Sequence, residues 1–128
     1  MKRVKILILE DNLMTLYKIF EVLLKLTQLD ISVVVLSEYT QVDKFINNTD
    51  ETFDLILLDR DCYLGGSFHI LDIEKTGPDK IIAISSVPDY NQDAIKRGVT
   101  LVIDKDYGQL DEFANNLIIE IRKFFDNQ

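Results

Sequence analysis

The chain has 128 residues, of which 47% are hydrophobic and 28% charged, with a formal net charge of −8. That length holds one ordinary domain with a normal core, and the composition excludes a disordered chain. The acidic balance excludes sequence-independent binding to DNA or RNA, which needs clustered positive charge to displace counterions, so no nucleic-acid partner is expected.

The basic start MKRVKILILEDN is not a secretion signal, because its apolar run is cut short by Glu10 and Asp11. No stretch approaches the roughly 18 apolar residues of a membrane span. The single cysteine, Cys62, leaves no internal disulfide and no cysteine-based metal cage. A cytoplasmic protein is expected, with one domain over residues 1–128 and no membrane partner.

Apolar runs at 4–9, 31–36, 53–58, 80–84 and 101–103 are rich in Ile, Val and Leu and lack clean alternation, as parallel strands covered on both faces do. After the first run, Leu13, Leu16, Tyr17, Phe20, Leu23, Leu24 and Thr27 recur at helical spacing. Val42, Phe45 and Ile46 mark a shorter helix after the second. Residues 67–74 and 89–96 supply the third and fourth helices, with Gly77-Pro78 as a turn and Gly98 as a helix C-cap. Leu110, Phe113, Ala114, Leu117, Ile118, Ile121, Phe124 and Phe125 form the last and clearest stripe. Strand and helix alternate five times, which predicts a doubly wound α/β fold: a five-stranded parallel sheet with right-handed crossovers.

In such a sheet, ligands bind beyond the carboxyl ends of the strands. Glu10 and Asp11 follow the first strand, Asp59 and Asp61 the third, Ser85 the fourth and Lys105 the fifth; Ser37 and Glu38 after the second carry no assigned role. If the first and third strands are neighbours, Glu10, Asp11 and Asp59 converge. Crowded carboxylates either hold protons or bind a cation. All-oxygen ligands suit a hard ion, Mg²⁺ before Zn²⁺. A carboxylate there can attack phosphorus to give an aspartyl-phosphate, with the Lys105 ammonium and the Ser85 hydroxyl neutralising the transferring group.

Each residue also has an ordinary reading. Glu10-Asp11-Asn12 could cap a helix, Asp59 could be a loop acid, Ser85 and Ser86 turn residues, and Lys105 a solvated surface lysine. What sets them apart is their common place at strand ends on one edge of one sheet.

The stretches ILILEDN, FDLILLDRD, IIAIS and KRGVTLVIDKD, in this order, resemble the receiver domain of two-component response regulators over essentially the whole chain. The resemblance implies a flavodoxin-like sheet of order 2-1-3-4-5, with Asp59 as phosphoacceptor, Ser85 as switch hydroxyl and Lys105 as the essential lysine. It implies Mg²⁺ bound by the side chains of Asp11 and Asp59, by Glu10 through water and by the backbone carbonyl of Asp61. It also implies a histidine kinase or phosphotransfer protein as donor and an unnamed downstream protein as target. Signalling in this family runs from the switch hydroxyl to the face formed by the fourth helix, fifth strand and fifth helix.

Four positions depart from the family pattern. Cys62-Tyr63 replaces a common methionine-proline, Val102 stands where an aromatic switch is usual, and Asp106 replaces the proline after the lysine. Asp61 adds a carboxylate beside the site, where it could tune phosphoryl lifetime. Cys62 reads as an inert thiol, and His69 as a surface residue with no part in chemistry. Two other functions are compatible with parts of the pattern. One is a non-phosphorylated interaction module on the same fold. The other is a phosphatase of the haloacid-dehalogenase type, whose D-x-D motif Asp59-Arg60-Asp61 resembles. That motif normally opens its fold, whereas two strands precede it here, and Asp111-Glu112 falls in the final helix region rather than on a late strand.

Overall fold

The computed structural model describes residues 1–61 and 65–127. Its elements are β1 (Lys2–Leu9), α1 (Leu13–Leu24), β2 (Leu29–Leu36), α2 (Tyr39–Val42), β3 (Leu55–Leu58), α3 (Ile73–Thr76), β4 (Ile81–Ala83), α4 (Pro88–Lys96), β5 (Leu101–Val102) and α5 (Leu110–Asp126). α2 runs on into a π-helical turn, Asp43–Asn47. All strand pairs are parallel and the order is β2-β1-β3-β4-β5, as expected.

The lack of alternation in the strands has the anticipated cause. In β1, Val4, Ile6 and Ile8 pack with Leu16, Ile19, Phe113, Leu117 and Ile121 from α1 and α5. Leu7 and Leu9, on the other face, pack with Val42, Ile46, Phe68, Ile73 and Ala94. Both faces are therefore core, and each fully buried Leu or Ile contributes roughly 1.5–3 kcal/mol.

The helices differ from expectation in two places. On α1 the buried positions are Thr15, Leu16, Ile19, Val22 and Leu23, whereas Leu13, Tyr17, Phe20 and Leu24 are exposed. This helix is apolar on two sides, so spacing alone did not pick the side that meets the sheet. The expected helix over 67–74 is broken. Ser67 caps a 3₁₀ turn by accepting from the His69 N–H, Leu71 takes extended backbone, and Asp72 starts α3 afresh by accepting from the Lys75 N–H. Two capping residues five positions apart each begin a turn of their own. Gly77 (φ +97°) ends α3, and Gly98 (φ +101°) follows α4 with its N–H on the Ile95 carbonyl, so both expected punctuation points hold.

Candidate functional site

The parallel ladder continues past the named strands and aligns the residues that follow them. Asp59 N–H donates to Leu9 O at 3.1 Å, Ile84 N–H to Leu58 O at 2.9 Å, Ile103 N–H to Ala83 O at 2.8 Å and Lys105 N–H to Ser85 O at 3.2 Å. Glu10, Asp59, Ser85 and Lys105 thus come to one edge of the sheet.

They also come out of water: Glu10 is 0% exposed, Lys105 2%, Ser85 3% and Asp59 5%. Lys105 Nζ lies 2.9 Å from Glu10 Oε2 and 3.3 Å from Asp59 Oδ2. Oxygens of Glu10, Asp11 and Asp59 lie within 4.8 Å of one another. The helix cap beside them is Asn12, whose Oδ1 accepts from the Thr15 N–H at 2.8 Å. Glu10 Oε1 accepts from the Asn12 N–H at 3.1 Å, which fixes the carboxylate so that its other oxygen meets Lys105. The capping reading of Glu10-Asp11-Asn12 therefore belongs to Asn12.

Burial dominates the electrostatics. It pushes Glu10 up to about 7, with the Asp59 charge adding to the rise against the Lys105 ammonium. Burial likewise raises Asp59, opposed by Lys105. At Lys105 burial works against the ammonium, but the Glu10 and Asp59 carboxylates outweigh it and hold the group above its usual range. Glu10, Asp11 and Asp59 together form an all-oxygen donor set of the kind that fits a divalent cation.

Asp61 is not part of that carboxylate cluster. Its backbone bridges to Ser67 and its side chain pairs with Arg60 at 3.1 Å, about half exposed. Arg60 in turn stacks on the Tyr90 ring at 3.9 Å. Asp111 pairs with Lys18 on α1. Neither acid therefore takes the place that a dehalogenase-type phosphatase requires. The Cys62 and Tyr63 positions lie outside the described residues.

Ser85 Oγ accepts from the Val87 N–H at 3.1 Å, which leaves its proton to donate. Its peptide groups are held by Asn91, a buried residue with no expected role. The available signal was its spacing, since Asn91 lies three residues before the buried Ala94 and so puts a polar side chain on the apolar stripe of α4. His69 is not the surface residue expected. Its side chain is 7% exposed and bonds Asp93 at 3.3 Å, while Arg97 donates to the His69 and Leu71 carbonyls, fastening the stretch before α3 to α4. Val102 borders an open groove of about 470 Å³ that Asp104, Asp106, Glu112 and Ile119 also line. The Lys105–Asp106 peptide is trans.

No family model and no curated protein matches this sequence. Solved structures do match. The phosphorylated cyanobacterial phytochrome response regulator RcpA has a TM-score of 0.75 at 21% identity, over 95% of this chain and 93% of its own. The response regulator domain of Thermotoga maritima CheB has 0.74 at 18%, over 98% of each chain. The Mn(2+)-bound form of response regulator Rcp1 has 0.72 at 20%, over 95% and 94%. At these identities the likeness establishes the fold: this chain has the architecture of response-regulator receiver domains.

Proposed function

We propose that this chain is a phosphoacceptor receiver, in which a phosphoryl group passes to Asp59 and switches contacts with other proteins. The observation that carries this reading is a buried Asp59 carboxylate 3.3 Å from a buried lysine, flanked by the carboxylates of Glu10 and Asp11. The donor is a histidine kinase or phosphotransfer protein. An Asp59 oxygen forms the new P–O bond as the P–N bond of a phosphohistidine breaks, and the leaving imidazole keeps the electron pair and takes up a proton. The Lys105 ammonium faces the attacked group, and the Ser85 hydroxyl donates to a phosphoryl oxygen. Mg²⁺ would be held by the side chains of Asp11 and Asp59, with Glu10 acting through water and Asp61 through its carbonyl, and would supply neutralisation of the phosphoryl charge. Water cleaves the same P–O bond to reset Asp59. The chain is not an enzyme in the usual sense, because its only chemistry is on itself. It works as one receiver unit over residues 1–128, in the cytoplasm, and its target is a protein rather than nucleic acid or membrane.

Incubation with Mg²⁺ and acetyl phosphate, followed by intact mass, tests the reading. One added phosphoryl group, missing in Asp59→Ala and without Mg²⁺, is the expected result. No addition, together with no binding of beryllofluoride, would overturn it in favour of a non-phosphorylated interaction module.

A further inference from the structure

Asn91 sits in the first turns of α4 and is 2% exposed. Its Oδ1 accepts from the Ser85 N–H at 3.0 Å. Its Nδ2 donates to the Ser85 carbonyl at 3.1 Å and to Asp104 Oδ1 at 3.0 Å. The Ser85 carbonyl also accepts from the Lys105 N–H at 3.2 Å. One side chain therefore grips both peptide groups of the residue that carries the switch hydroxyl, and it touches the residue before the lysine.

The chemistry at this position demands a carboxamide. One atom must accept and the other must donate twice, and a buried amide group left without a partner is costly. Aspartate would accept from the Ser85 N–H but would lose both donors and set a carboxylate against Asp104. Alanine would leave the Ser85 N–H without its partner. The preceding residue, Tyr90, stacks on Arg60, the neighbour of Asp59. The Ser85 hydroxyl itself accepts from Val87, just before α4 begins. Movement of Ser85 must then either carry α4 along or break buried hydrogen bonds. Val102, an aliphatic side chain with no polar handle, offers no such link between Ser85 and β5.

We propose that Asn91 is the positioning residue of this receiver: it sets the Ser85 hydroxyl relative to Lys105 and passes displacement of Ser85 both to α4 and, through Asp104, to the end of β5. This rests on the phosphoacceptor reading of Asp59.

The test compares amide NMR spectra with and without Mg²⁺ and beryllofluoride, alongside acetyl phosphate labelling, for wild type, Asn91→Asp, Asp104→Ala and the double variant Asn91→Asp/Asp104→Asn. Wild type is expected to shift amides over 85–96 and 102–106. Asn91→Asp should label more slowly and lose the response in both segments. Asp104→Ala, at an exposed position, should lose the response over 102–106 and keep it in α4. It also keeps the test alive if Asn91→Asp fails to fold. The double variant restores the hydrogen bond between positions 91 and 104 with the donor reversed, and should regain the 102–106 response that the single Asn91→Asp lacks. A purely structural role predicts no such rescue. A wild-type response in both single variants, or no recovery in the double variant, overturns the coupling while leaving labelling at Asp59 standing. A wild type that neither labels nor binds beryllofluoride overturns the phosphoacceptor reading and the coupling with it.

Discussion

Replacing Glu10 by glutamine should make the metal-free protein more stable at alkaline pH, although it removes a residue of the site. Glu10 is fully buried, and its folded-state pKa is pushed from 4.5 to about 7, first by burial and then by the Asp59 charge. The folded protein therefore binds this proton more tightly than the unfolded chain does. Its stabilising effect is complete below pH 4.5 and is lost as pH rises through about 7. At about 1.4 kcal/mol per pH unit, the ionised carboxylate costs the fold roughly 3 kcal/mol above that range. Glutamine keeps an oxygen to accept from the Asn12 N–H and the Lys105 ammonium without carrying the charge. Urea unfolding in chelator-containing buffer should give Glu10→Gln the higher midpoint at pH 8.5, with the two proteins converging near pH 5. Adding Mg²⁺ should close the gap at pH 8.5, because a cation bound only by the folded state stabilises it by mass action and the wild type offers the more negative site. Equal midpoints at both pH values, or a Glu10→Gln protein weaker at pH 8.5, would refute the claim that burial of charge dominates this site.

Lys105→Met should show the converse. Removing the ammonium that bridges Glu10 and Asp59 leaves these two buried carboxylates without it, and the metal-free protein should lose about 3–5 kcal/mol at pH 8, part of it recovered with Mg²⁺, as read by urea midpoints. Asn12→Ala removes the cap of α1 and should cost about 1 kcal/mol, measured the same way and independent of pH. His69 is held below its usual pKa of 6.5 by burial, against the Asp93 hydrogen bond. Its neutral form stabilises the fold above pH 6.5, and that contribution is lost as pH falls through the lower folded value. Glu10 titrates in the opposite sense over part of this window, so the check is the difference between wild type and His69→Gln, which should shrink as melting is followed from pH 7.5 down to 5.

How much of this was legible in the sequence follows from how each feature is encoded. The strand order came with the resemblance to receiver domains, and once it is given the meeting of Glu10, Asp59, Ser85 and Lys105 follows from backbone pairing. The ladder from Leu9 to Leu58 to Ala83 fixes which residue comes next on each strand, so a residue's place just past an apolar run already gives its place in the site. What stayed hidden was decided by side chains reaching across the fold. The buried side of α1 depended on which of two apolar stripes fitted the sheet. The break in the third helical segment depended on Ser67 and Asp72 each capping a separate turn. His69 lies between Phe68 and Ile70, and only the fold sets it against α4, where Asp93 and Arg97 meet it and its backbone. Asn91 is the sharpest case. An asparagine early in a polar helix reads as solvated, and its burial makes sense only because Ser85 and Asp104, 6 and 13 residues away along the chain, present one donor and two acceptors to one carboxamide. The charged residues of the site announce themselves because they follow strands, whereas the neutral residue that grips Ser85 beside them is marked by the three groups it satisfies.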